Sequence, residues 1–201
     1  ADSGADSGVD TGADSGDDTG AVADAGFPVA LEDPVDGGPT YGGFIFSQSN
    51  GLSHGDAQTT VQYGDNINVH SSLTFPLTEP AWATGTSGES PLSGAVNQLT
   101  SMHPAADEWV VFTRAVSGCG MTCLSQGSIL YNQVLTQVIN AVALYPEYRI
   151  PWVLFIHGET DQIDGTSGAD YLAGLRELRT DFEADIDSVI HPEGLTLFTF
   201  Q

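Results

Sequence analysis

The sequence predicts an α/β chain, a three-layer α/β/α sandwich on a central parallel sheet, and three observations carry that reading. Through the second half of the chain, apolar patterns alternate as strand, helix, strand, helix, strand. The run WVLFIH at 152–157 is apolar almost throughout, as in a strand covered on both faces. With 201 residues, 40% of them hydrophobic, the chain suffices for one core and is short for two.

The elements follow in order. Residues 1–39 read as an acidic linker expected to be disordered, and 40–201 as the folded domain. The first twenty residues repeat Asp-Ser-Gly or Asp-Thr-Gly at every fourth position, with six Asp and almost no large apolar side chain. Such a stretch has little to bury against the entropy of ordering. Its recurring carboxylates also leave a calcium role open, although the EF-hand spacing and closing Glu are absent. YGGFIF, from Tyr41, is a short apolar strand running into the polar loop SQSNGLSHG. Residues 57–75 suit an extended loop or hairpin better than a central element. In SGESPLSGAVNQLTSM, Leu92, Ala95, Val96 and Leu99 recur at helical spacing, and Ser90-Pro91 supplies the start. WVVFTRAV (109–116) is a strand ending in the turn SGCG. The next helix is predicted over 131–145, with Val134, Val138 and Ala141 on one face and Leu135 and Val142 beside it. After the strand at 152–157, a helix over about 169–186 carries Tyr171, Leu172, Leu175, Leu178 and Phe182. LTLFTF (195–200) is the next strand.

Charge narrows the partners. Asp and Glu number 27 against 4 Arg and no Lys, for a formal net charge of -23. So negative a surface repels phosphate backbones and anionic headgroups, which argues against nucleic acid and membrane-surface partners. No run of 18 apolar residues is present to span a bilayer. The first residue is Ala and no signal-like apolar stretch follows it. The expectation is therefore a secreted or cell-surface protein whose signal was removed or lies outside the sequence, with the acidic tail as spacer from that signal or an anchor. Salty surroundings and an ordinary extracellular setting explain the acidity about equally well.

In a parallel sheet the working residues lie just past the carboxyl ends of strands. Three polar loops stand there: Ser49 after the first strand, Gly118 to Gly120 after 109–116, and Gly158 to Asp161 after 152–157. A serine so placed can be activated by a histidine, with nearby N–H groups receiving the oxyanion. A solvated or helix-capping serine fits the same spacing.

FIFSQSNG resembles the first block of the SGNH hydrolases in their sialate O-acetylesterase-like branch, a strand leading into Gly-Gln-Ser-Asn with Ser as nucleophile. Gln48, Ser49 and Asn50 match, while Ser47 stands where Gly is usual. FIHGETD (155–161) resembles that branch's Trp-His-Gln-Gly-Glu-Ser-Asp block, with His157 on the Gln and Gly158, Glu159 and Asp161 agreeing. AVSGCGMTCLSQGS resembles the glycine block between them, and the YLAGLRELRTDF helix fits the layout. The resemblance covers about 40–201 and implies a flavodoxin-like SGNH hydrolase fold. Ser49 would be the nucleophile, with the N–H groups of Ser49 and Gly120 (Gly118 as runner-up) and the Thr160 hydroxyl as oxyanion donors. Gln48, Asn50, His157, Gly158, Glu159 and Asp161 would support substrate or loops.

Two departures stand out. Thr160 occupies the place of the family's oxyanion Asn. The family's base lies in an Asp-x-x-His block beyond the strand that LTLFTFQ resembles, and no Asp-x-x-His occurs in the sequence. The chain is therefore expected to be truncated before that block. His157 is the one serious internal substitute, although its place implies orienting substrate or bonding the nucleophile loop. His54 reads as a rim residue, and His70, His103 and His191 as surface residues. Glu159 and Asp161 could be paired as in a glycosidase; two residues apart on one loop, they more readily hold it together through backbone N–H and hydroxyl groups.

Cys119 and Cys123 could form a disulfide if their loop turns helically; free buried thiols and a metal site are the alternatives. The resemblance implies no metal or organic cofactor. The function expected of the full-length parent is a serine esterase that removes O-acyl groups, acetyl foremost, from a small-molecule ester or an acetylated carbohydrate; for residues 1–201 without the base block, activity is left open. The rival is a non-catalytic carbohydrate-binding or surface-display domain that keeps the scaffold without the base.

Overall fold

The computed structural model describes residues 40–47, 66–70, 73–76, 90–102 and 108–200. The predicted linker 1–39, and Gln48, Ser49, Asn50, His54 and His103, lie outside the described residues. Among the described residues six strands form one sheet: β1 (Thr40–Ser47), β2 (Ile67–His70), β3 (Leu73–Pro76), β4 (Val110–Ala115), β5 (Tyr148–Ile156) and β6 (Thr196–Phe200). Five α-helices, also among the described residues, accompany them: α1 (Pro91–Met102), α2 (Met121–Leu124), α3 (Ile129–Leu144), α4 (Glu159–Asp164) and α5 (Gly168–Asp185).

The sheet order is β3-β2-β4-β1-β5-β6, parallel from β2 through β6. The exception to an all-parallel sheet is β3, antiparallel to β2 at the edge. Two residues join these strands, and so short a connection can only reverse direction; a parallel neighbour needs a crossover of a dozen residues or more. The hairpin reading of 57–75 thus fits 67–76. β1 lies between β4 and β5. The chain builds one flank of β1, crosses it after β4, and then builds the other. The carboxyl end of β1 is consequently where the connections diverge, the place at which open α/β sheets form a crevice.

Alternation along the strands divides the core. Phe44, Phe46, Val110, Phe112, Val153 and Phe155 join the apolar faces of α3 and α5. Ile45, Val111, Trp152 and Leu154 join Leu92, Val96 and Leu99 of α1 in a second cluster. With a period of two, these sets occupy opposite faces of the sheet, which gives the three layers. Phe182 of α5 centres the first cluster, stacked on Tyr131 at 4.8 Å and edge-on to Phe44 and Phe46 at 5.5 Å. On β1, a Cβ at Gly42 would collide with the Val110 carbonyl and the Tyr148 ring, and one at Gly43 with the Trp152 indole.

Element ends follow local chemistry. Pro91 opens α1, and the Ser90 hydroxyl accepts from the Leu92 N–H at 3.2 Å. α3 begins two residues before the predicted start because the Ser128 hydroxyl caps it, accepting from the Tyr131 N–H at 3.1 Å. β5 begins before the predicted Trp152, despite Pro151. The register with β1 slips between Tyr41 and Gly43, and such an irregularity accommodates a residue that lacks an N–H. Leu172, predicted on the buried face of α5, is 46% exposed. Among the described residues no helix is long and apolar enough to cross a membrane.

Candidate active site

Three strand exits meet at one edge. Ser47, the last residue of β1, is paired in register with Ala115 of β4 and Ile156 of β5. Ser47 is fully buried, its hydroxyl donates to the Ile156 carbonyl at 2.5 Å, and its own carbonyl accepts from the Val116 N–H at 3.1 Å. That accounts for serine at a position where the resemblance expects glycine: its hydroxyl ties the exit of β1 to that of β5. Ser49 is two residues farther on.

The segment predicted as a loop at 158–161 is instead the start of α4, a short helix bounded by two glycines. Gly158, before its first residue, has φ 130°, a conformation L side chains rarely adopt. Gly165 ends the helix in the left-handed region at φ 77°. Six residues are too few for helical periodicity to show in the sequence. This helix places Asp161, 7% exposed, against the glycine block. Both Asp161 carboxylate oxygens accept from the Met121 N–H, at 3.2 and 3.0 Å, and Oδ1 also accepts from the Thr166 hydroxyl at 3.2 Å. Asp161 therefore holds the loops through a backbone N–H and a hydroxyl, and the N–H comes from the segment that follows β4, on the other side of β1.

Gly120 stands beside the same residues. A Cβ built on it would lie 3.6 Å from Asp161 Oδ1 and 3.7 Å from the Thr160 methyl, ordinary contacts. Packing among the described residues thus does not itself require glycine there. The Gly120 carbonyl accepts from the Cys123 N–H at 3.0 Å in the single turn of α2. That turn brings the ends together: Cys119 and Cys123 form a disulfide with Cα atoms 5.8 Å apart.

His157 is 1% exposed and fixed from both ring nitrogens. Nε2 lies 2.8 Å from the Cys119 carbonyl, which can only accept, so Nε2 carries the proton. Nδ1 faces the Tyr171 hydroxyl at 3.3 Å and Asp161 Oδ2 at 3.4 Å. Burial pushes the imidazole pKa below its ordinary value; the Cys119 carbonyl and the carboxylates of Asp161 and Glu159 act in the opposite direction without cancelling it. His157 is accordingly neutral at pH 7 and serves as a donor to the glycine loop. Because its folded pKa is depressed, the unfolded chain binds the proton more readily. Stability on this account is complete above the unfolded value near 6.5 and falls as pH drops below it, levelling off under the folded pKa. His157→Gln, which retains a donor for the Cys119 carbonyl, should fold and lose this slope. Urea midpoints at pH 7.5 and 5.5 check it: equal pH dependence in both proteins would contradict a buried neutral imidazole.

His191, expected at the surface, is 6% exposed. Its ring Nδ1 accepts from the Glu193 N–H at 3.1 Å, and its backbone N–H donates to Ile150 near the start of β5. It therefore lies toward the opposite end of the sheet from His157. Burial here follows from a turn preceding β6, which the His-Pro pair alone did not reveal.

A cleft of about 620 Å³ opens beside the strand exits, lined by His157, Glu159, Gln162, Thr166, Tyr171 and Leu172 among others. Among the predicted site residues, Gly120, His157, Gly158, Glu159, Thr160 and Asp161 share this edge with the Cys119–Cys123 bridge. Tyr171 and Met121 were absent from the expected site. Tyr171 was read as one more apolar residue of the α5 face, and Met121 contributes only a backbone N–H, which no side-chain pattern signals.

Fold and site edge define a three-layer α/β sandwich on a central, mostly parallel sheet. No family model and no curated protein matches the sequence. Among solved structures, an Arabidopsis thaliana protein determined by X-ray crystallography superposes with a TM-score of 0.65 at 16% identity, over 80% of this chain and 73% of that one. The crystal structure of NanS superposes with a TM-score of 0.59 at 13% identity, over 80% of this chain and 68% of that one. At these identities the likeness is one of fold.

Proposed function

We propose that the chain is a serine esterase scaffold that removes O-acyl groups, acetyl foremost, from a hydroxylated substrate such as a carbohydrate. One observation carries the reading. The glycine block and the Gly-Glu-Thr-Asp block, more than thirty residues apart, are locked together by Asp161 on the Met121 N–H at the edge where β1 ends with Ser47, two residues before Ser49 in the sequence. Ser49 Oγ would attack the ester carbonyl to give an acyl-enzyme, and the N–H groups of Ser49 and Gly120 would receive the oxyanion. Thr160, beside Gly120, is the candidate for a third donor. Because His157 is committed to the Cys119 carbonyl, its role is to position the oxyanion loop, and the proton acceptor for Ser49 has to be another group.

That commitment of His157, together with His191 lying toward the far end of the sheet, also supports the second reading, a carbohydrate-binding domain without catalysis. Pre-steady-state hydrolysis of p-nitrophenyl acetate separates the two. An esterase releases a burst of nitrophenolate stoichiometric with the protein before a slower steady phase; a binding domain gives no burst above the buffer rate.

A further inference from the structure

The whole sequence constrains the charge that the cleft beside the strand exits can present. The chain has four arginines and no lysine, and all four arginines are among the described residues. Arg114 is buried in β4, where its guanidinium donates to the Thr113 carbonyl at 2.9 Å. Arg149, at the start of β5, faces Glu147 at 3.5 Å. On α5, Arg179 pairs with Glu183 at 2.8 Å, and Arg176 is exposed outside the cleft lining. None of the four lines the cleft, whereas Glu159 and Asp161 do. Asp161 is occupied by Met121 and Thr166; Glu159 is exposed on the cleft wall. His157, the one imidazole in the lining among the described residues, is buried and neutral at pH 7.

An incoming carboxylate or phosphate would meet like charge at the wall and a net charge of -23 behind it, with no arginine or lysine to receive it. The apolar share of the wall, from Tyr171, Leu172 and Leu175, suits a ring or alkyl face, while Gln162 and Thr166 offer hydrogen bonds to neutral hydroxyls. We propose that this cleft selects an uncharged acyl acceptor, a neutral acylated sugar or comparable alcohol, and rejects anionic ones, with Glu159 as the specificity-determining residue. The proposal deepens the esterase reading and depends on it only for calling the ligand an acyl acceptor. An acidic sugar, which the name of the resembling branch suggests, is a poor fit to this wall.

The test uses binding, so that it is independent of turnover. Amide shifts of Gly158, Gly165 and Thr166 in the 1–201 chain are followed by NMR at pH 7.5 while a methyl O-acetyl-glucoside, or the matching O-acetyl-glucuronide, is titrated in. The glucoside should shift these amides and bind about tenfold or more tightly than the glucuronide at low salt. The gap should narrow in Glu159→Gln and at high ionic strength, where screening shortens the reach of the wall's charge. Equal or tighter binding of the glucuronide at low salt would overturn the proposal. So would absence of glucoside-induced shifts at these amides, or a gap unchanged in Glu159→Gln. Failure of the esterase reading is seen separately, as absence of a Ser49-dependent burst, and leaves this binding result standing.

Discussion

Ser49→Ala should lower p-nitrophenyl acetate hydrolysis by about 10⁴-fold or more, equivalent to about 5.5 kcal/mol of transition-state stabilisation, without changing the unfolding midpoint. The effect is large because the hydroxyl is the proposed nucleophile: without it only positioning and oxyanion contacts remain. The control is His157→Gln. Its side chain can still donate to the Cys119 carbonyl, the partner that His157 Nε2 reaches at 2.8 Å, so activity should largely survive. If Ser49→Ala retains full activity, the nucleophile is another group. If His157→Gln alone abolishes activity, the imidazole is the base and its bond to Cys119 is not its whole role.

The second large effect is expected at Asp161. Truncation to Ala removes the acceptor of the Met121 N–H and of the Thr166 hydroxyl, leaving a half-buried amide of the glycine block unpaired. Hydrogen bonds to a charged acceptor contribute about 1.5–3 kcal/mol each and do not add independently. A loss of about 3 kcal/mol is therefore expected for Asp161→Ala, and a loss near 1 kcal/mol for Asp161→Asn, which keeps one oxygen facing Met121. Urea unfolding of the three proteins at pH 7.5 measures both. The expected activity loss exceeds what the stability change alone explains, because the glycine loop is released from α4. An Asp161→Ala midpoint equal to that of the unmodified chain would remove the link on which the site's assembly rests.

The fold was largely legible because its signals are repetitive. Helical spacing in 91–102, 131–145 and 169–186, and the apolar runs at 109–116 and 152–157, leave few architectures besides strands alternating with helices. Illegible were features set by backbone geometry or tertiary contact. The antiparallel β3 depends on a two-residue connection, the early start of β5 on an irregularity at Pro151, and α4 on two positive-φ glycines around six residues. In the site, residue types at strand ends pointed to the Gly120 and Gly158–Asp161 segments, whereas their connection through the Met121 N–H involves a main-chain atom that carries no sequence signature. Leu172 illustrates the reverse case. Helical spacing placed it on the apolar face of α5, but its 46% exposure belongs to a residue lining the cleft mouth.

The most direct measurement is to map the acyl group itself. The chain is mixed with p-nitrophenyl acetate, quenched in acid during the burst, digested, and read by tandem mass spectrometry. The expected result is a single acetyl adduct on Ser49, in the peptide containing FIFSQSNG, lost in Ser49→Ala and retained in His157→Gln. An adduct on any other residue, or a burst that leaves Ser49 unmodified, would contradict the assignment of this sheet edge as a serine esterase site.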